Sequence, residues 1–232
     1  MIRRFLWTLA LTALPVRPCL ALDVFDQLWP ELNLFVKTSE QSRLFFLGAG
    51  TRVRQGGYTD GQLGAHLDMY FGPMFKHRAE KQPDAARSRL LSVRVGYLFG
   101  KTPKDSPEPF VEHAPIIEVS PRYYLSKSLL LTDRNRYDFR FVDGVYTPRY
   151  RNRFKLERTF QTGKRSLTPY AHVEGFYDRR FDGFHRFRYT AGAEFQINRR
   201  FVLEGYYLRQ QDTQADPRGL NVAGFVLQIY LH

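Results

Sequence analysis

Between residues 62 and 72 every second side chain is apolar. Leu63, Ala65, Leu67, Met69 and Phe71 share one face of an extended segment, and Gln62, His66, Asp68 and Tyr70 share the other. The same period of two returns along the whole chain. Leu91, Val93, Val95, Tyr97 and Phe99 oppose Ser92 and Arg94; Ile117, Val119, Tyr123 and Leu125 oppose Glu118, Ser120 and Arg122. Phe187, Tyr189, Ala191, Ala193, Phe195 and Ile197 oppose Arg186, Arg188, Thr190, Glu194 and Gln196. In 149–156 the polar face is cationic throughout: Arg149, Arg151, Arg153 and Lys155 alternate with Tyr150, Asn152, Phe154 and Leu156. The pattern predicts strands over 28–37, 43–53, 62–72, 88–100, 113–125, 128–142, 146–160, 167–178, 184–197, 200–210 and 219–231. Turn chemistry separates them, as in QGGYTDG (55–61), KTPKDSPEP (101–109), Asp143-Gly144, QTGK (161–164) and Asp182-Gly183. No helix, linker or domain boundary is predicted. The segment 43–53 is apolar on both faces, so its register stays open.

Two all-β architectures fit this alternation. A soluble sandwich or calyx turns its apolar face inward, and a transmembrane barrel turns it outward to lipid. Three features favour the barrel. Many segments run 11–14 residues, longer than the usual ~5–6 of globular strands and close to the roughly 9–11 a tilted membrane strand needs. Aromatics crowd strand ends: Trp29, Tyr97, Phe99, Tyr123, Phe160, Tyr177 and Tyr230. Short connections (126–128, 161–166, 198–200) alternate with longer ones near 178–183 and 211–218. The expected fold is therefore all-β, a single transmembrane antiparallel barrel. Even strand numbers are the rule for such barrels, so ten to twelve strands are expected, with twelve preferred. Asp133 and Asn135 break the pattern, because they fall on the face of Leu129, Leu131, Tyr137 and Phe139. A β-bulge near 132–135 would turn them away.

The first residues are a separate object. MIRR is basic, FLWTLALTALPV (5–16) is apolar, and Cys19 and Ala21 precede a cut after Ala21. This is the layout of a cleaved signal peptide over 1–21, leaving 22–232 as the barrel and implying export. The full chain carries a net charge of +12; the leader holds three arginines and no acid, so the mature chain carries +9. The leader also holds the single cysteine, so the mature chain forms no disulfide.

With apolar groups toward lipid, the other face lines a lumen. Arg134, Arg136, Arg140, Arg149, Arg151, Arg153, Lys155, Glu157, His172, Glu174, Arg186, Arg188, Glu194 and Glu204 are expected there. The opposite orientation would place guanidinium groups in hydrocarbon at roughly 2–4 kcal/mol each near the midplane. Two roles suit this lining: ion-pair ladders that fill and stiffen the barrel, or a narrow, porin-like, anion-selective passage for acidic solutes. A third, an outer-membrane lipid hydrolase, is the weakest. No Gly-x-Ser-x-Gly occurs, and the pairs His172/Glu174 and His66/Asp68 fit structural hydrogen bonds better than a catalytic couple. No catalytic residue, cofactor or metal site is assigned. Export and two-faced strands count against nucleic acid as the partner of a basic chain. Lys76, His77, Arg78, Lys81, Arg87 and Arg89 cluster around 73–87; on a cell-surface loop they would meet lipopolysaccharide phosphates.

The stretch RYRNRFKLERTF (149–160), LLLTDRNRYDFRF before it, LTPYAHVEGFYD (167–178) after it and the early DQLWPEL (26–32) together resemble the outer-membrane barrel family catalogued as domain of unknown function 2490. The shared features are the early Trp29, an Arg-rich strand pair, the Pro169-Tyr170…Glu174-x-Phe176 strand and a closing apolar hairpin. The resemblance implies the outer membrane of a Gram-negative bacterium. Outer-membrane lipids, lipopolysaccharide and the barrel assembly machinery are the partners expected there. It implies no activity.

Overall fold

The computed structural model describes residues 25–54, 57–75, 84–103, 109–126, 128–163, 165–213 and 219–231. The expected signal peptide lies outside the described residues, as do Lys76, His77, Arg78 and Lys81. The strands in chain order are β1 (Gln27–Lys37), β2 (Ser42–Val53), β3 (Tyr58–Met74), β4 (Arg89–Lys101), β5 (Val111–Tyr124), β6 (Leu129–Asp138), the short β7 (Phe141–Val142) and β8 (Val145–Tyr146), β9 (Arg149–Arg158), the short β10 (Phe160–Thr162), β11 (Arg165–Asp178), β12 (Gly183–Gln196), β13 (Phe201–Asp212) and β14 (Gly219–Leu231). The helical elements among the described residues are two 3-10 turns, Ala85–Ser88 and Arg179–Phe181. β7 and β8 prolong the β6–β9 hairpin through Asp143 and Gly144, both at positive φ (49° and 81°). That is the twist a two-residue hairpin turn requires.

Eleven long strands close the wall, within the expected ten to twelve. The even number does not hold, because β1 runs parallel to β14 (Gln27 opposite Val222, Val36 opposite Leu231) while every other neighbour pair is antiparallel. Stacked rings brace this seam from inside. Tyr230, Phe35, Phe45 and His66 stand directly opposite one another on β14, β1, β2 and β3, with centroids 4.7, 4.7 and 5.1 Å apart. Arg43 lies over Phe35 at 4.0 Å and Arg94 over Phe45 at 4.2 Å. The open register of 43–53 is thereby resolved: Arg43, Phe45 and Leu47 turn inward, and Leu44 and Phe46 turn outward.

Burial is inverted relative to a soluble protein. Leu63 and Phe225 are 63% and 60% exposed, whereas Glu174, Asp138 and Asp178 are fully buried. Apolar side chains cover the outside of the barrel and charged ones fill the inside. Trp29 and Tyr230 depart from the expected outer girdle, because they share the inward parity of Glu31 and Gln228. Tyr97, Tyr123 and Phe160 do face out.

No bulge turns Asp133 and Asn135 inward. β5 and β6 keep one register from Val119–Asn135 to Arg122–Thr132, so both residues stay on the outer wall. There they are paired with polar neighbours: Asn152 Nδ2 donates to Asp133 (2.8 Å) and Asn135 (3.0 Å), and the Tyr150 hydroxyl donates to Asn135 (2.6 Å).

Candidate functional site

The inward side chains form rungs around the barrel. One rung runs in direct register across nine strands: Arg43, Asp68, Arg94, Glu118, Arg136, Arg151, Phe176, Arg186 and Asp212. Opposite charges alternate along most of it, the arrangement in which cross-strand pairs stabilise a sheet. Asp68 accepts from Arg43 (2.9 Å) and Arg94 (2.6 Å), and Arg186 pairs with Asp212 (2.5 Å). Where Arg136 and Arg151 meet side by side, carboxylates from adjoining rungs intervene. Asp138 takes Arg136 (2.5 Å) and Arg149 (2.8 Å).

Glu174 is the hub of the next rung. It is fully buried and accepts from Arg134 (2.5 Å), Arg151 (2.8 Å) and Arg153 (2.7 Å). β6, β9 and β11 converge on this one carboxylate. Phe176, two residues along on the same face, is the second convergence point. The guanidinium carbons of Arg149, Arg151, Arg186 and Arg188 lie 4.7–5.9 Å from its ring centroid. The aromatic face thus adds to the carboxylates that Arg149, Arg151 and Arg186 already engage, and is one of two rings beside Arg188.

The remaining expected lumen residues also turn inward. Arg140 pairs with Glu112 (2.8 Å), and Lys155 bridges Glu157 and Glu194 (3.1 Å each). Glu204 accepts from the Tyr170 hydroxyl and from Gln228 (2.8 Å). Arg188 donates to Gln210 (2.8 Å) and covers Trp29 at 4.9 Å, with no carboxylate in ion-pair range among the described residues. His172 stacks on Tyr170 (4°, 5.9 Å), and its Nδ1 has no partner, so the expected bond to Glu174 is not made. His66 Nδ1 is likewise unpartnered, and Asp68 is engaged by arginines instead. Neither His–acid couple is assembled.

Sequence reasoning left Arg43, Asp68, Arg94, Glu118, Asp84 and Arg87 out of the lumen set. The first four were readable by strand parity. The last two were not, because they lie outside the strands on a segment that enters the barrel mouth. Asp84 caps the 3-10 turn through Ala86 N (3.0 Å) and accepts from Arg43 of β2 (2.6 Å). Arg87 reaches the far wall, pairing with Glu194 of β12 and lying 3.8 Å from Glu157 of β9. The segment is thus strapped across the lumen. Burial alone would raise the Asp84 carboxyl, but Arg43, Arg87 and Arg122 hold it below its ordinary 3.8. Beside the strap the cavity lined by Asp84, Arg87, Glu194 and Tyr230 measures about 10 Å³, room for one water at most. Of the cationic cluster expected around 73–87, Lys76, His77, Arg78 and Lys81 lie outside the described residues, and only Arg87 and Arg89 are placed. β3 ends and β4 begins at the same end of the barrel as the tight turns 38–41 and 197–200, Arg87 is engaged inside by Glu194, and Arg89 donates to the Glu40 carbonyl (3.1 Å).

A family profile matches residues 26–221, nearly the whole barrel. The chain belongs to the family described as Protein of unknown function (DUF2490). Among solved structures, this DUF2490 chain is similar to the crystal structure of the beta domain of the Bordetella autotransporter Brka. The two share 12% identity over 82% of each chain, with a TM-score of 0.46. No curated protein matches. In this DUF2490 barrel the residues that carried the family resemblance have distinct places. Trp29 lies under Arg188, Glu174 gathers three arginines, and Phe176 gathers four.

Proposed function

We propose that this DUF2490 protein is an outer-membrane barrel, exported by its cleaved leader, whose charged lumen is a structural brace that keeps the barrel closed and stiff. The apolar exterior and charged interior support the membrane reading, since the reverse orientation would put a row of guanidinium groups in hydrocarbon. The observation that carries the brace is Glu174, fully buried and bonded to arginines from two neighbouring strands. From β2 to β5 inward acids and bases are matched in direct register, and where arginines face one another on β6 and β9 Asp138 and Glu174 accept from them, which leaves little uncompensated charge to select a solute. The strap of Asp84 and Arg87 narrows the mouth further.

A second reading rests on Arg188. It has no carboxylate partner among the described residues and stands over two rings, the kind of cation an acidic solute would meet in a narrow passage. Planar-bilayer recording under a salt gradient separates the two. The brace predicts no steady conductance from the folded protein. An anion-selective conductance that falls on Arg188→Gln would replace the brace with the passage.

A further inference from the structure

The outer wall carries a groove of about 830 Å³ near the end opposite the tight turns. Its floor is made by Gly48 and Gly50 of β2 and Gly61 of β3, adjacent on the outward face. Leu32, Leu63, Phe99 and Leu227, in one register row with Gly48, form its deeper side. Local folding does not demand glycine at two of these positions. Neither Gly48 nor Gly61 has positive φ, and an added Cβ would meet its nearest neighbour at 3.9 Å and 3.7 Å, ordinary contact distances. The wall thus leaves a space on its apolar side that its own backbone could fill.

The rim differs in chemistry. Lys101, at the end of β4 and in register with Gly61, is exposed, as is Arg52 of β2, in register with Tyr58 of the groove. Neither has a hydrogen bond or ion pair among the described residues. The two cations stand on strands separated by β3, with Arg52 two residues beyond the row of Lys101, so their backbone positions are about 12 Å apart. Charge thus lies toward the strand ends and apolar surface lies deeper, the polarity of a lipid in the adjoining leaflet.

We infer that this groove binds the acyl chains of a lipid A molecule, with Lys101 and Arg52 meeting its phosphates. The spacing of the two cations suits a headgroup with two phosphates, and a width of several strands suits more than one chain. This inference rests on the membrane reading above.

The experiment is native mass spectrometry of the folded barrel released from detergent micelles doped with lipid A. Dephosphorylated lipid A and phosphatidylglycerol are run in parallel. Wild type is expected to retain one lipid A. Gly48→Leu with Gly61→Leu fills the groove and lowers retention by about tenfold or more. Lys101→Gln with Arg52→Gln, two solvent-side changes that leave packing intact, lowers it by about fivefold per cation. Dephosphorylated lipid A binds wild type no better than intact lipid A binds that variant. The site is overturned by equal retention in wild type and the groove-filled variant, by no retention, by preference for phosphatidylglycerol, or by a second copy of the chain held in the lipid's place. Heat-modifiable gel mobility, read on each sample, reports the inserted barrel separately. Its loss in wild type overturns the membrane reading, and lost retention with mobility intact overturns the lipid site alone.

Discussion

Glu174→Gln isolates the hub. The amide keeps the shape of the carboxylate, so packing against Phe176 and the strand register stay as they are, and only the charge is removed. What remains is a set of guanidinium groups, those of Arg134, Arg151 and Arg153, held 2.5–2.8 Å from a neutral group that no longer balances them. Arg188 stands directly opposite in register and adds to the repulsion. Removing one partner of a buried pair costs about 3–5 kcal/mol, because the other charge is left buried and uncompensated. For a chain of this size each kcal/mol is worth about 2–4 °C, so the unfolding midpoint is expected to fall by roughly 10 °C. The assay is thermal and urea unfolding of the detergent-folded barrel, followed by circular dichroism and by heat-modifiable mobility. Arg151→Gln in the Glu174→Gln background removes one of the stranded charges. The double variant should therefore be less destabilised than the two single losses combined, by about 1–3 kcal/mol. A midpoint shift under about 2 °C, or simple additivity, would refute the argument that this carboxylate braces three strands.

Two further outcomes follow from the geometry. Asp84 is held below its ordinary value in the folded barrel, so its contribution is fully present above about pH 3.8 and is lost as pH falls through the depressed folded value. Asp84→Asn should lower the unfolding midpoint at neutral pH and flatten its decline on acidification; a variant whose acid limb matches wild type would show that Asp84 does not hold the strap. Asp133→Leu exchanges an outward carboxylate for an apolar group and should stabilise the detergent-folded barrel by about 1 kcal/mol. Asn135 still accepts from Asn152 in that variant, and a loss of stability in urea would count against the proposed membrane-facing role of the outer wall at Asp133.

Much of the wall was legible because a strand's two-residue period is local. Arg149, Arg151, Arg153 and Glu174 could be put on one face without knowing any partner. The eleven segments read from the sequence correspond one to one with the eleven wall strands. Pairing across the chain was not legible. The parallel contact of β1 with β14 joins residues nearly 200 positions apart, and no local pattern records it. Arg87 was read as part of a surface cluster because charge density along a loop carries no information about which way the loop folds. Its partner Glu194 is 107 residues away. Phe176 looked like one more apolar group until Glu174, of the same parity, showed which side of the wall it occupies. Asp133 and Asn135 fitted neither face in isolation; their partner Asn152 lies on a neighbouring strand, so the polar trio emerges only once β6 and β9 are paired.

The parallel seam has a consequence for topology. An odd number of wall strands leaves the start of β1 and the end of β14 at opposite ends of the barrel. Gln27 enters the wall beside the loop-bearing rim, and Leu231 leaves it beside the strapped mouth. On the proposed membrane reading, reporters fused ahead of Phe25 and behind Leu231 would be answered by reagents on opposite sides of the membrane.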